Sequence, residues 1–156
     1  MSTRLLATLL CIVAAWGCND TSTPSTPGQV SQATVTGRWT GDLTVQGVTG
    51  RTTWTLSQTG TSVTGPVTIG LPNGVVLLNG TLSGTLTGTS LDYTIAVASS
   101  GVPDQPACTG QLGGTMTVTT GTVSTMTGPI AVRSTNCSIQ FPTSNFTLTK
   151  QSGIGS

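Results

Sequence analysis

The chain has 156 residues, only 6% of them charged: five Lys or Arg, four Asp, no Glu and no His. Nucleic-acid binders displace counterions with clustered Lys and Arg, and no such cluster exists here, so nucleic acid is not an expected partner. Acid–base and nucleophilic catalysis draw on His, Glu, Asp, Lys or Cys. With so few of these, and the Asp residues standing singly, no catalytic residue is expected and the protein is not expected to be an enzyme.

Residues 1–17 read as an export signal. Arg4 gives a positive start, an apolar run follows from Leu5 to Trp16, and small residues precede a cut. The run is too short to cross a bilayer as a helix, which needs about 20 residues. The stretch Ala14-Ala15-Trp16-Gly17-Cys18 resembles the lipobox of bacterial lipoproteins, although Ala15 stands where Leu is usual and Trp16 where a small residue is usual. The resemblance implies that Cys18 is lipidated and becomes the first residue of the mature protein. It would then carry the acyl chains, palmitate among them, that hold the protein to a membrane without a spanning helix. Asn19 after the cysteine points to the outer membrane of the cell envelope. Residues 18–33 are rich in Ser, Thr and Pro and read as a flexible tether.

Beyond the tether the sequence alternates with period two, the mark of half-buried strands. From Thr34 to Gln46 one parity holds Val35, Gly37, Trp39, Gly41, Leu43 and Val45, while the other is mostly Thr. Trp54 and Leu56 mark a second strand, and Val63, Gly65, Val67 and Ile69 a third. Leu78 to Leu86 alternate with Thr and Ser in a fourth, and Leu91, Tyr93, Ile95 and Val97 form a fifth. Gly110 to Val118 give a sixth, Met126 to Val132 a seventh, and Phe146 with Leu148 the last. Gly47, Gly60, Asn73-Gly74, Gly88 and Gly121 supply hairpin turns between sequence neighbours. No helical stripe is present. The expected fold of residues 34–150 is therefore all-β, an eight-stranded antiparallel up-and-down β-barrel, because closure removes the two sheet edges. A β-sandwich is the alternative. Residues 151–156 read as a disordered tail.

Cys11 leaves with the signal and Cys18 is used by lipid, so Cys108 and Cys137 remain as a pair, and in an oxidising envelope they are expected to form a disulfide. With the sixth and seventh strands paired about Gly121, Cys108 falls opposite about Arg133 and Cys137 just past the open end of the hairpin. Without His or a CxxC spacing no metal site is expected, and nothing calls for a cofactor.

Gly37-Arg38-Trp39 at the head of the first strand is similar to the GxW opening of lipocalins and of avidin-like proteins, both eight-stranded barrels. The lipocalin resemblance implies that Trp39 plugs a closed end and that a late basic residue stacks across it, for which Lys150 and Arg133 are the candidates. The avidin resemblance fails at its ligand: Gly41 stands where avidins have a binding asparagine, and pocket tryptophans are missing later in the chain. A transmembrane barrel is disfavoured because the aromatics are too few for two girdles. The leading expectation is a lipid-anchored envelope protein whose barrel has a structural or interaction role, with no protein partner named by the sequence. The alternative is a lipocalin-like barrel that holds a small apolar ligand. The inward glycines either leave it room or merely allow the sheet to curve.

Overall fold

The structure, a computed structural model, describes residues 32–138 and 141–152. Eight strands run in chain order: β1 Gly37–Val45, β2 Val48–Thr59, β3 Ser62–Gly70, β4 Val76–Thr87, β5 Ser90–Val97, β6 Gly110–Thr119, β7 Thr125–Thr135 and β8 Ser144–Lys150. Each pairs antiparallel with the next, and β8 returns to β1, so the sheet is a closed barrel and the sandwich is excluded. The apolar parity points inward. Trp39, Trp54, Leu82, Leu86, Leu91, Ile95, Met116, Met126 and Leu148 are completely buried. The Thr parity faces outward, the reverse of the apolar-out arrangement of a membrane-spanning barrel.

The turns follow the local chemistry. Gln46 and Gly47 both have positive φ (49° and 79°), as a two-residue turn of the primed kind requires. Gly60, Gly74 and Gly88 take positive φ in the next turns. These hairpins are tight, whereas residues 98–109 between β5 and β6 and the segment between β7 and β8 are longer. Two ends result. The closed end carries the β2–β3, β4–β5 and β6–β7 turns, and the mouth carries the β1–β2 and β3–β4 turns with the two longer loops.

The first strand begins later than its sequence pattern implies. Alternation starts at Thr34, yet the ladder starts at Gly37, because residues 33–36 cross under the barrel instead of pairing in it. Ala33 donates its amide to Gly88 O at 3.0 Å, and Val35 donates to Gln58 Oε1 at 2.8 Å. Both side chains are buried against the core, so the alternation reports burial beneath the closed end as well as strand.

The inward glycines are places where strands approach closely. A Cβ at Gly65 would overlap the Thr55 carbonyl oxygen, one at Gly41 that of Thr147, one at Gly114 that of Pro129 and one at Gly128 that of Thr115. A narrow barrel coils its strands strongly, and these positions carry the bend. Their missing side chains are thus filled by neighbouring backbone. Gly65→Ala is expected to destabilise the fold by ~1–3 kcal/mol in urea unfolding, the usual effect of overpacking. Gly121→Ala, where the nearest atom is 3.8 Å from the added Cβ, is expected to stay within ~0.5 kcal/mol of the parent.

Candidate functional site at the barrel mouth

The closed end is occupied. Trp39 is fully buried, and its indole N–H donates to Val35 O at 2.7 Å. Lys150, its partner across the β1–β8 seam, places Nζ 5.7 Å from the centroid of the ring. Gly37 makes room for this: its φ is +129°, and a Cβ there would stand 3.1 Å from Lys150 Cε. Of the two basic candidates, Lys150 is the one at Trp39. Arg133 lies elsewhere, on the outer wall. Its guanidinium crosses over Gly113 to meet Asp92 Oδ1 at 3.4 Å in an exposed ion pair of the sort that contributes little to stability.

Aromatics fill the middle. Trp54 packs edge-on against Tyr93 (5.0 Å between centroids) and Phe146 (5.7 Å). Their polar atoms are satisfied inside the wall. The Trp54 indole donates to Thr52 Oγ1 at 3.1 Å, and the Tyr93 hydroxyl donates to Pro129 O at 2.9 Å.

Nearer the mouth the filling stops. A cavity of about 330 Å³ lies between the strand ends and the two longer loops. Its walls are Leu43, Ile69, Leu78, Val97, Leu112 and Val132, with Val102 and Phe141 contributed by the loops. Polar groups are confined to a few side chains that include Gln46, Asp104 and Gln111. Small-molecule sites share this form, mostly apolar with a few polar groups that fix orientation, and begin at roughly this size.

Two irregularities in register build the mouth. Ile69 faces Leu78 but Gly70 faces Val76, so Leu77 is an extra residue on β4, and it lines the cavity beside Leu78. Likewise Gln111 faces Ser134 while Leu112 faces Val132, which leaves Arg133 as the extra residue on β7. A bulge of this kind shifts all later pairing by one and reverses which face each side chain takes. Gly110 therefore faces Thr135, Asn136 meets Thr109 beyond the end of the ladder, and the next residues out, Cys108 and Cys137, are brought together. The expected placement of Cys108 opposite about Arg133 is corrected on two counts: the β6–β7 turn is centred beyond Gly121, and the bulge adds one residue. The cysteines are disulfide-bonded with Cα atoms 4.8 Å apart, and both line the cavity. The bridge ties the β5–β6 loop to the start of the β7–β8 loop. Val97 and Val102 bury themselves against it.

Among the described residues no group of three His, Cys, Asp or Glu is placed to hold a metal ion. Cys18 and its neighbours lie outside the described residues. No family model, no curated protein and no solved structure matches the chain. The closed eight-stranded antiparallel architecture is itself consistent with a calycin-like fold.

Two outcomes follow from these contacts. Replacing Cys108 and Cys137 with Ser is expected to lower stability by ~3–4 kcal/mol, since the bridge closes a loop with a sequence separation of 29. Denaturant melts with and without reductant check this. Tyr93 is the sole tyrosine, and burial raises its phenol above the ordinary 10.0. Folding thus favours the neutral phenol, a contribution complete below the unfolded value and lost as pH rises above it. Tyrosinate absorbance is expected to appear only together with alkaline unfolding, and Tyr93→Phe is expected to move that unfolding to higher pH.

Proposed function

We propose that the barrel binds a small apolar ligand at its mouth and is held at the cell envelope by a lipid on Cys18. The observation that carries the ligand reading is the apolar cavity itself. In a barrel with aromatics at its centre and strand backbones pressed against its inward glycines, a cavity remains at the mouth, and that space is walled mainly by aliphatic side chains. This favours ligand binding over a role confined to the outer face, whose strands present mainly Thr and Ser. An apolar ligand suits it because enclosed aliphatic surface gains by leaving water, at roughly 25 cal/mol per Å².

The anchor fits the same geometry. Gln32, the first described residue, hydrogen-bonds to Gly60 O and Leu86 O, so the described chain enters the barrel at its closed end, opposite the mouth. An anchored barrel would then present its opening away from the attachment point. No catalytic group is invoked: among the described residues that line the mouth, Asp104 is the one carboxylate and neither His nor Lys stands beside it.

The test is titration of the full chain with N-phenyl-1-naphthylamine, an uncharged fluorescent probe. Saturable binding is expected. Leu77→Glu brings a charge to the mouth from a partly exposed position, so affinity is expected to fall about tenfold or more. Val123→Glu, at an exposed site at the other end (59% accessible), is expected to change nothing. Absence of saturable binding, or equal effects from the two substitutions, overturns the ligand reading. The anchor is checked separately by intact mass of protein extracted from its membrane: a mass for Cys18 to Ser156 plus acyl groups is expected, and an unmodified Cys18 rejects it.

A further inference from the structure

We infer that the outer wall beside the closed end carries a binding site for a phosphate-type oxyanion. A depression there is lined by Arg38, Arg51, Lys150, Thr40, Gln151 and Gly37. These include three of the four cations that lie beyond residues 1–17, in a chain with only five Lys and Arg in all. Among the described residues no acid lines the depression. The nearest carboxylate along the ladder is Asp42, the cross-strand neighbour of Arg51. Among the described residues the one ion pair joins Arg133 to Asp92 on another part of the wall. Among the described residues, Arg38, Arg51 and Lys150 are thus gathered without a carboxylate in ion-pair contact with any of them.

Such a grouping opposes its own assembly, because like charges repel. A cleft lined by one sign of charge instead concentrates counter-ions. The fold holds it together by means other than acids. Lys150 is steadied by the Trp39 ring, and Gln151 fixes the end of β8 by donating from its backbone to Arg38 O at 2.8 Å and from Nε2 to Thr40 Oγ1 at 2.8 Å. Guanidinium groups present planar forks that match phosphate oxygens, and an ammonium adds a point charge. Phosphate chemistry can reach this wall from two sources, a phospholipid headgroup or a free phosphate. The headgroup is favoured by position: Gln32 enters at the same end of the barrel, with residues 19–31 alone between it and Cys18. This site is independent of the mouth and of any ligand there.

The full chain, purified in the uncharged detergent dodecyl maltoside, is titrated with dihexanoylphosphatidylglycerol, with dihexanoylphosphatidylcholine and with inorganic phosphate while backbone amide resonances are followed. Saturable shifts at Arg38, Arg51 and Gln151 are expected with the phosphatidylglycerol, weaker or none with the phosphatidylcholine. Response to inorganic phosphate alone supports the site and assigns it a free oxyanion instead of a headgroup. Arg38→Gln with Arg51→Gln removes two exposed charges and keeps the Lys150–Trp39 contact, so the fold is retained. Affinity is expected to fall about fivefold per cation. No shift at these residues with either anion, or the same affinity in the double variant, overturns the proposal.

Discussion

The seam between β1 and β8 is the constraint on which the barrel depends. It is short, with Trp39 facing Lys150 and Thr40 facing Thr149 as its ladder pairs. Two residue pairs are little to close a sheet, and the seam is reinforced from both sides. Inside, Trp39 reaches down to the crossing segment through Val35 O while Lys150 lies over the ring. Outside, Gln151 bonds to Arg38 and Thr40. Each contact uses a residue whose type is demanded by its place. Gly37 must adopt a positive φ and leave space for the lysine stem, Trp39 must span the floor and keep an N–H to donate, and Lys150 must combine an apolar stem with a charge that ends at the surface. The resemblance of Gly37-Arg38-Trp39 to a GxW opening therefore has a physical basis here: these residues solve closure.

Closure on so small a circumference forces a division of the interior. Where strands coil most tightly, inward positions are glycine and a neighbouring backbone occupies the space a side chain would take. Where they do not, Trp54, Tyr93 and Phe146 meet edge to face and take up the centre. The two devices complement one another, since a few large rings take up the space left where inward glycines interrupt the buried Leu, Ile, Val and Met side chains of the wall. Toward the mouth the inward positions become Leu, Ile and Val, too short to meet across the opening, and the cavity is the remainder. Its shape thus derives from the aromatic content: a chain with 4% aromatic residues has none to spare for the mouth beyond Phe141.

The strands were legible because period-two alternation is a direct consequence of a sheet with one buried face, and the turns because Gly at positive φ leaves a signature at Gly47, Gly60, Gly74 and Gly88. The candidates at the closed end were legible in part. Lys150 follows Phe146 and Leu148 in the inward parity, whereas Arg133 shares its stretch with a bulge that parity cannot reveal. The same blindness accounts for one residue of the misplacement of Cys108, the rest coming from the turn centre, and hid Leu77, whose neighbour Leu78 alone fits the alternation. A bulge is one uncounted residue decided by pairing with a distant strand, so local sequence carries no mark of it. Glycine was ambiguous for a related reason: sequence records that a side chain is missing, and only the fold says whether backbone or empty space takes its place.

The bulge at Arg133 links the chemistry of the two cysteines to the geometry of the mouth. Without the extra residue, Cys137 would fall on the outer face while Cys108 stayed inward, and no bridge could form across the ladder. With it, both thiols turn inward at the rim, and the covalent bond fixes two loops that the hydrogen-bonded sheet no longer restrains. Asn136 continues the pairing just there, donating its amide to Thr109 O and accepting the Thr109 amide on its side chain. The loop segment holding Val102 is consequently packed against sulfur and Val97, so the mouth keeps a defined outline despite its long connections. A preformed opening loses less conformational freedom when it is filled than one assembled around its ligand. The bridge and the bulge together therefore tie the β5–β6 loop to the end of β7 at the rim.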